Sequence, residues 1–195
     1  MAAPDDDALM AQVVQGDRSA FATLVARHLD PVHRYLSRLS GSSADADDLS
    51  QETFLRVWQR AGSYRPGTVA FTTWLHRVAH NLAVDAARRR REQTGVSLDL
   101  VEDEHADPAT RAADDESARR LDGAIAALPP NQRAALLLCQ VQGFSNRDAG
   151  AILGVSVRSL ESLLARARRN LRQTLLDAEP PQSNPSTGST DHDTA

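Results

Sequence analysis

The chain contains no lysine, and all 22 of its basic residues are arginine. Arginine favours planar, bidentate contacts to phosphate or guanine, although genome composition alone also yields lysine-free chains. Cysteine is nearly absent: Cys139 stands alone, cannot close an internal disulfide and fits a reducing compartment. It reads as a small buried residue rather than a redox sensor. Aromatics make up only 4% of residues, so any core must be built mainly from aliphatic side chains and alanine. No run of about 18 apolar residues exists, which excludes a membrane-spanning helix of that kind. The N-terminal MAAPDDDALM is acidic and lacks the charged-then-apolar pattern of a signal peptide. The expectation is a cytoplasmic protein that does not insert into a membrane.

Catalytic signatures are missing as well. There is no P-loop, nucleophile elbow or dinucleotide fingerprint, so the chain does not read as an enzyme. His76 and His80 stand four apart on one helix, a spacing that can bind metal. No third ligand accompanies them, and helix packing or phosphate contact accounts for both. No metal or cofactor is expected.

What is present is an alternation of charge that the net value of −4 conceals. Residues 1–50 carry a net −4, 51–92 a net +5, 93–122 a net −6, 123–175 a net +5 and 176–195 a net −4. Two separated basic blocks inside an acidic chain suggest two contacts with a polyanion.

Apolar residues recur at helical spacing through Leu9, Val13, Phe21, Leu24, Val25, Leu29, Val32, Leu36 and Leu39, with a break at Gly16-Asp17. GSSADADD (41–48) supplies caps for a helix to about Arg60, SYRPG (63–67) is a loop, and Phe71–Ala86 marks another amphipathic helix ending in Arg88–Arg91. Acidic, apolar-poor 93–118 reads as a flexible linker. Helices resume over 119–128, stop at Pro129-Pro130 and continue from about Asn131 to Gln142. Residues 177–195 read as a disordered tail. The expected fold is all-α: two helical domains, 1–92 and 119–176, joined by the linker.

In the second domain a short helix capped by Ser145, a turn holding Gly154 and a longer helix capped by Ser156 follow helix-turn-helix grammar. The stripe Val157, Leu160, Leu164, Ala167 and Leu171 would pack on Ala149, Ile152 and Leu153. The opposite face presents Arg158, Ser159, Ser162, Arg166, Arg169 and Asn170. Recognition helices read bases with their N-terminal residues, which makes Arg158, Ser159, Glu161 and Ser162 the candidate readers. Arg166, Arg169 and Arg172 would meet phosphate.

In the first domain, Asp48, Gln51, Glu52 and Leu55 fall together on one helix face by i, i+3, i+4 spacing, a polar, acidic surface suited to a basic partner helix. Taken alone, the same stretch also fits an ordinary capped surface helix. Over 71–92, Arg77, Asn81, Asp85 and Arg88 form a row at one-turn steps opposite the apolar stripe. Such a row can follow a nucleic-acid backbone and present an amide to a base edge.

With DADDLSQETFLRVW, FTTWLHRVAHNLAVDAARRRR, LDGAIAALPPNQRAALLL and GFSNRDAGAILGVSVRSLESLLARARRNLR in this order, the chain resembles a bacterial RNA polymerase sigma factor of the extracytoplasmic-function (ECF) subfamily. The resemblance covers about 8–92 and 119–175. It implies that 45–58 docks on the coiled coil of the polymerase β′ subunit through Asp48, Gln51 and Glu52. It implies that Trp74, Arg77, Asn81, Asp85 and Arg88 engage the −10 promoter element, and that the loop at about 61–70 accepts a flipped-out base. The helix-turn-helix would read the −35 element, its other side meeting the β flap. The linker would thread near the RNA path, and an anti-sigma factor is an implied partner. Where many relatives carry a Val-Lys-Ser-Arg type sequence, this chain has Leu160-Glu161-Ser162-Leu163, so their −35 preference does not carry over. Glu161 can accept from a cytosine amino group or cap the helix dipole.

Two other readings compete. A stand-alone helix-turn-helix regulator with an N-terminal sensing or dimerisation domain has no need of an arginine row ending in RRRR. A helical adaptor pairing through 157–171 predicts a sustained heptad and no second basic block.

Overall fold

Short polar side chains and glycines set the helix ends in this chain. The computed structural model describes residues 4–94 and 114–177. Asp5 caps α1 (Asp6–Val14) by accepting from the Ala8 amide at 2.7 Å. Gly16 turns the chain at φ +88°, and Asp17 caps α2 (Arg18–Ser40) by accepting from the Ser19 and Ala20 amides. This is the break expected at Gly16-Asp17. Helix α2 runs through Pro31 and ends at Gly41 in the left-handed region. Ser42 caps α3 (Ser43–Gln59), a 3-10 turn covers Ala61–Ser63, and α4 spans Phe71–Thr94. Helix α2 packs on α1, α3 and α4. Leu24, Val32, Tyr35, Leu36, Val57 and Leu75 are fully buried in this bundle, each stabilising it by about 1.5–3 kcal/mol.

The second half departs from expectation at its start. Helix α5 spans Asp114–Ala126, so it begins inside the stretch expected to be linker. Helix α6 (Pro130–Leu136) places Pro130 at its first turn, where the missing N–H leaves no bond unmade. The backbone then widens into a π turn over Leu137–Val141 rather than continuing as a plain α-helix to Gln142. Ser145 caps α7 (Asn146–Leu153): its Oγ accepts from the Asp148 amide at 3.1 Å and donates to Asp148 Oδ2 at 2.6 Å. Gly154 reverses the chain at φ +67°, and Ser156 caps α8 (Val157–Asp177) by accepting from the Ser159 amide at 3.1 Å. A Cβ at Gly150 would lie 3.0 Å from the Val155 carbonyl oxygen, so glycine is what lets α7 approach the turn.

All described elements are helical or turn, and the described residues contain no strand. The two halves pack directly on each other. Helix α4 lies against α7, and α2 lies against the π turn, α5 and α6. Arg133 Nη1 donates to the Leu39 carbonyl at 3.0 Å, Gln142 Nε2 donates to the Pro31 carbonyl at 3.1 Å, and Arg38 pairs with Asp122 at 3.3 Å. Buried residues of both halves form one continuous core. The expected linker and tail lie mainly outside the described residues; their described ends, 93–94, 114–118 and Asp177, are helical.

Candidate polymerase and nucleic-acid interfaces

Helix α3 turns Ala46, Ser50, Thr53, Phe54 and Val57 inward. Thr53 donates its hydroxyl to the Leu49 carbonyl at 2.6 Å, which satisfies it without a partner from another helix. The helix therefore presents Asp48, Gln51 and Leu55 outward, with Leu55 half exposed at 50%. Glu52 sits between them but accepts from Arg56 Nε at 2.8 Å, so its charge is already paired. The structure brings the four expected residues onto one face, with an exposed leucine at one end and an unpaired acidic residue at the other.

The loop before α4 is anchored by a residue that the sequence pattern did not single out. Tyr64 is buried, donates to Asp7 Oδ1 at 2.5 Å and also approaches the Val69 carbonyl at 3.2 Å. Burial first, and then the Asp7 hydrogen bond, push its hydroxyl pKa far up, so it remains a donor. Its ring meets Phe71 at 5.8 Å and Trp74 at 5.4 Å between centroids. Trp74, expected on the DNA side, is half-buried in this aromatic group and holds the loop as much as it faces outward. An isolated tyrosine between Ser63 and Arg65 carries no periodic signal, which is why only the fold reveals it.

Beyond Trp74, Arg77 and Asn81 are exposed on α4. Asp85 is half-buried and pairs with Arg88 at 3.3 Å, while Arg88 also reaches Glu92 at 4.0 Å. The row is thus assembled as expected, but its C-terminal cation is partly neutralised. Arg90 pairs with Asp45 and ties the arginine run to the start of α3.

The two histidines face the other way. His80 Nδ1 and the Tyr35 hydroxyl share a hydrogen bond at 2.9 Å, and His76 Nδ1 lies 2.9 Å from the Thr72 carbonyl. Burial lowers both imidazole pKa values, that of His80 to about 4. They pack inside the protein, His76 against Phe144 of the second half. Cys139 is only half-buried; its Sγ donates to Asn146 Oδ1 at 3.8 Å, and burial pushes its thiol pKa up against the opposing pull of Arg168.

On α8, Leu160, Leu164 and Ala167 are buried, and Arg158, Ser159, Glu161, Ser162, Arg166 and Arg169 are all exposed. Two expectations fail here. Val157 is 42% exposed rather than part of the packed stripe, at the first position of the helix. Asn170 faces α6, donating to Gln132 Oε1 at 3.0 Å.

Comparison with known families matches residues 24–93 to Sigma-70 region 2 and residues 118–171 to Sigma-70, region 4. The ECF RNA polymerase sigma factor SigM of Mycobacterium tuberculosis is 37% identical over 170 residues, covering 87% of this chain and 84% of that protein. The chain belongs to the ECF sigma factors. SigE of Mycolicibacterium smegmatis is 40% identical over 167 residues, 82% of this chain and 64% of that longer relative. Among solved structures, this sigma factor is similar to a chain from CnrH in complex with the cytosolic domain of CnrY (TM-score 0.67, 31% identity, 90% and 99% of the two chains). It is also similar to one from RpoE in complex with the anti-sigma factor NepR of Bartonella quintana (TM-score 0.65, 25% identity, 82% and 98%). Region 2 therefore holds the α3 face and the α4 row, and region 4 holds α7 and α8.

Proposed function

We propose that this sigma factor joins core RNA polymerase through the α3 face, binds and holds the melted −10 element through α4 and the loop at 61–70, and reads the −35 element through α8. It acts in the cytoplasm as a non-catalytic specificity subunit in a stress or envelope response. The observation that carries this reading is the pair of exposed arginine-bearing faces on α4 and α8, separate from the acidic, leucine-bearing face of α3. A basic helix such as the β′ coiled coil complements that third face, and the side of the region 4 half that lies against α2 here would meet the β flap once the halves separate. A free-standing regulator with a sensing domain finds no support in the matched families.

The closed arrangement is a resting form in this reading. Elements named −10 and −35 lie about 25 base pairs apart, about 85 Å of duplex at roughly 3.4 Å per step. Helices α4 and α7 are in contact, so α4 and α8 cannot engage both elements without separating. The 19 residues of 95–113 between Thr94 and Asp114 reach at most about 65 Å when extended. Added to the dimensions of the two halves, that reach suffices. CnrH and RpoE were solved with the cytosolic domain of CnrY and with the anti-sigma factor NepR. An anti-sigma factor that holds this chain closed is accordingly the expected third partner, after core polymerase and promoter DNA.

Run-off transcription with core polymerase on a randomised promoter library tests the proposal. Transcripts that depend on the added chain and share −35 and −10 sequences support it. Sequence-specific duplex binding without any core-dependent transcript would overturn it.

A further inference from the structure

We propose that Val157 is itself a base reader, its methyl groups recognising the 5-methyl group of a thymine beside the base pair that Glu161 reads; the inference rests on the −35 role given to α8. Val157 is apolar and 42% exposed at the first position of the recognition helix, while Leu160, Leu164 and Ala167 of the same helix are buried. It precedes Glu161 by four residues, which places the two about 40° apart around the helix axis and one turn apart along it. Both therefore stand at the end of α8 that enters a major groove, with Arg158 adjacent.

The hydroxyls nearby are occupied within the protein. Ser159 Oγ and Ser156 Oγ share a hydrogen bond at 2.9 Å, and Ser162 Oγ donates to the Arg158 carbonyl at 3.0 Å. Val157, Arg158 and Glu161 are left as the side chains of the first turns whose recognition groups are not engaged. Their chemistry differs: a carboxylate accepts from the cytosine N4 amino group, a guanidinium donates to guanine, and an aliphatic side chain shields the thymine methyl from water. The turn that carries them is fixed in place, since the Ser156 cap holds the Ser159 amide and the Val155 amide donates to the Gly150 carbonyl at 3.0 Å. A fixed apolar group at this end recognises a methyl by shape, at no cost in broken hydrogen bonds.

The test uses the full chain on core polymerase. A promoter pool randomised around −35 first yields the preferred sequence, and each thymine of that element, on either strand, is then replaced by uracil, which removes only the methyl group. At one position the wild-type holoenzyme loses about four-fold in affinity. Val157→Ala, whose circular dichroism melt matches wild type because the side chain is exposed, binds thymine and uracil equally there. Uracil tolerated at every position by the wild type, or an undiminished uracil penalty in Val157→Ala, would overturn the inference. Failure of the pool to yield any preferred −35 sequence would instead overturn the role of α8 on which it rests.

Discussion

The Phe144 ring stands edge-on to the His76 imidazole, with centroids 4.7 Å apart and ring planes at 70°. The contact joins the two halves, for His76 belongs to α4 and Phe144 precedes α7. It is an imperfect junction. His76 Nε2 is buried with no well-formed hydrogen bond among the described residues, the Gln142 side chain being the polar group that acts on the ring from the second half. The ring contact is one of several that hold the two halves together.

Phe144→Ala should therefore shift the chain toward the open form while leaving each half folded, because Phe144 is only part-buried. Loss of an aromatic pair removes about 0.5–1.5 kcal/mol beyond the area it covers. Energy transfer between dyes on α3 and α8 should drop relative to wild type, with helicity unchanged. Equal transfer efficiency in both proteins would show that the ring contact does not hold the halves together.

Acid should loosen the same region. Burial lowers the pKa of His80 from 6.5 to about 4 and lowers that of His76. For His76 the Thr72 carbonyl and the Gln142 amide oppose this, and the neighbouring His28 adds to it. The unfolded chain consequently binds more protons than the folded one between these values. Stability is complete above about pH 6.5 and falls as the pH drops toward 4. His80→Asn keeps a polar atom near the Tyr35 hydroxyl without a titrating ring, so its melting temperature should fall less than that of wild type between about pH 7 and 5. Parallel declines would mean that His80 does not govern the acid limb.

Gly150→Ala probes the turn of the helix-turn-helix. The added Cβ would lie 3.0 Å from the Val155 carbonyl and 3.9 Å from the Val157 amide nitrogen, both backbone atoms that cannot rotate away. Overpacking of this kind costs about 1–3 kcal/mol. A thermal melt should show the loss, and −35 affinity should fall with it because the first turn of α8 shifts. An unchanged melt would mean that the turn relaxes freely.

The particular residues explain what the sequence made legible. Asp17, Ser145, Gly154 and Ser156 end or begin helices where capping chemistry says they should, since each acts on its own neighbours. The faces of α3, α4 and α8 followed from the 3.6-residue period for the same local reason. Asp114 opening α5 was hidden because its first turn, DDE, is polar and reads as linker, although acidic residues suit a helix N-terminus. Val157 broke the stripe because burial needs a partner helix as well as a period. Tyr64, the His76–Phe144 contact and the bond from Arg133 to Leu39 join residues distant in sequence or outside any pattern. The closed packing of the two halves rests on such contacts.

Asp48→Arg combined with Leu55→Ala should weaken association with core polymerase by at least about 10-fold, since charge reversal and loss of an apolar anchor act on one face. Both side chains are exposed, so the fold is retained. Glu52 is a poorer choice, because Glu52→Arg would set a second cation beside Arg56. Fluorescence anisotropy against core enzyme measures the effect. Undiminished binding with a native circular dichroism spectrum would remove α3 from the polymerase interface.

Asn81→Ala separates melting from duplex binding on α4. Asn81 is exposed one turn after Arg77 and one turn before the Asp85–Arg88 pair, so its amide lies between groups suited to phosphate. An amide pairs with a base edge and not with phosphate charge alone. Its removal should therefore cost about 1–3 kcal/mol in holding an exposed base and leave the salt dependence of duplex binding unchanged. Permanganate reactivity of thymines around −10 should fall in the variant holoenzyme while its affinity for the closed duplex stays within about two-fold of wild type. Matching losses in both measurements would place Asn81 on the backbone instead of the base.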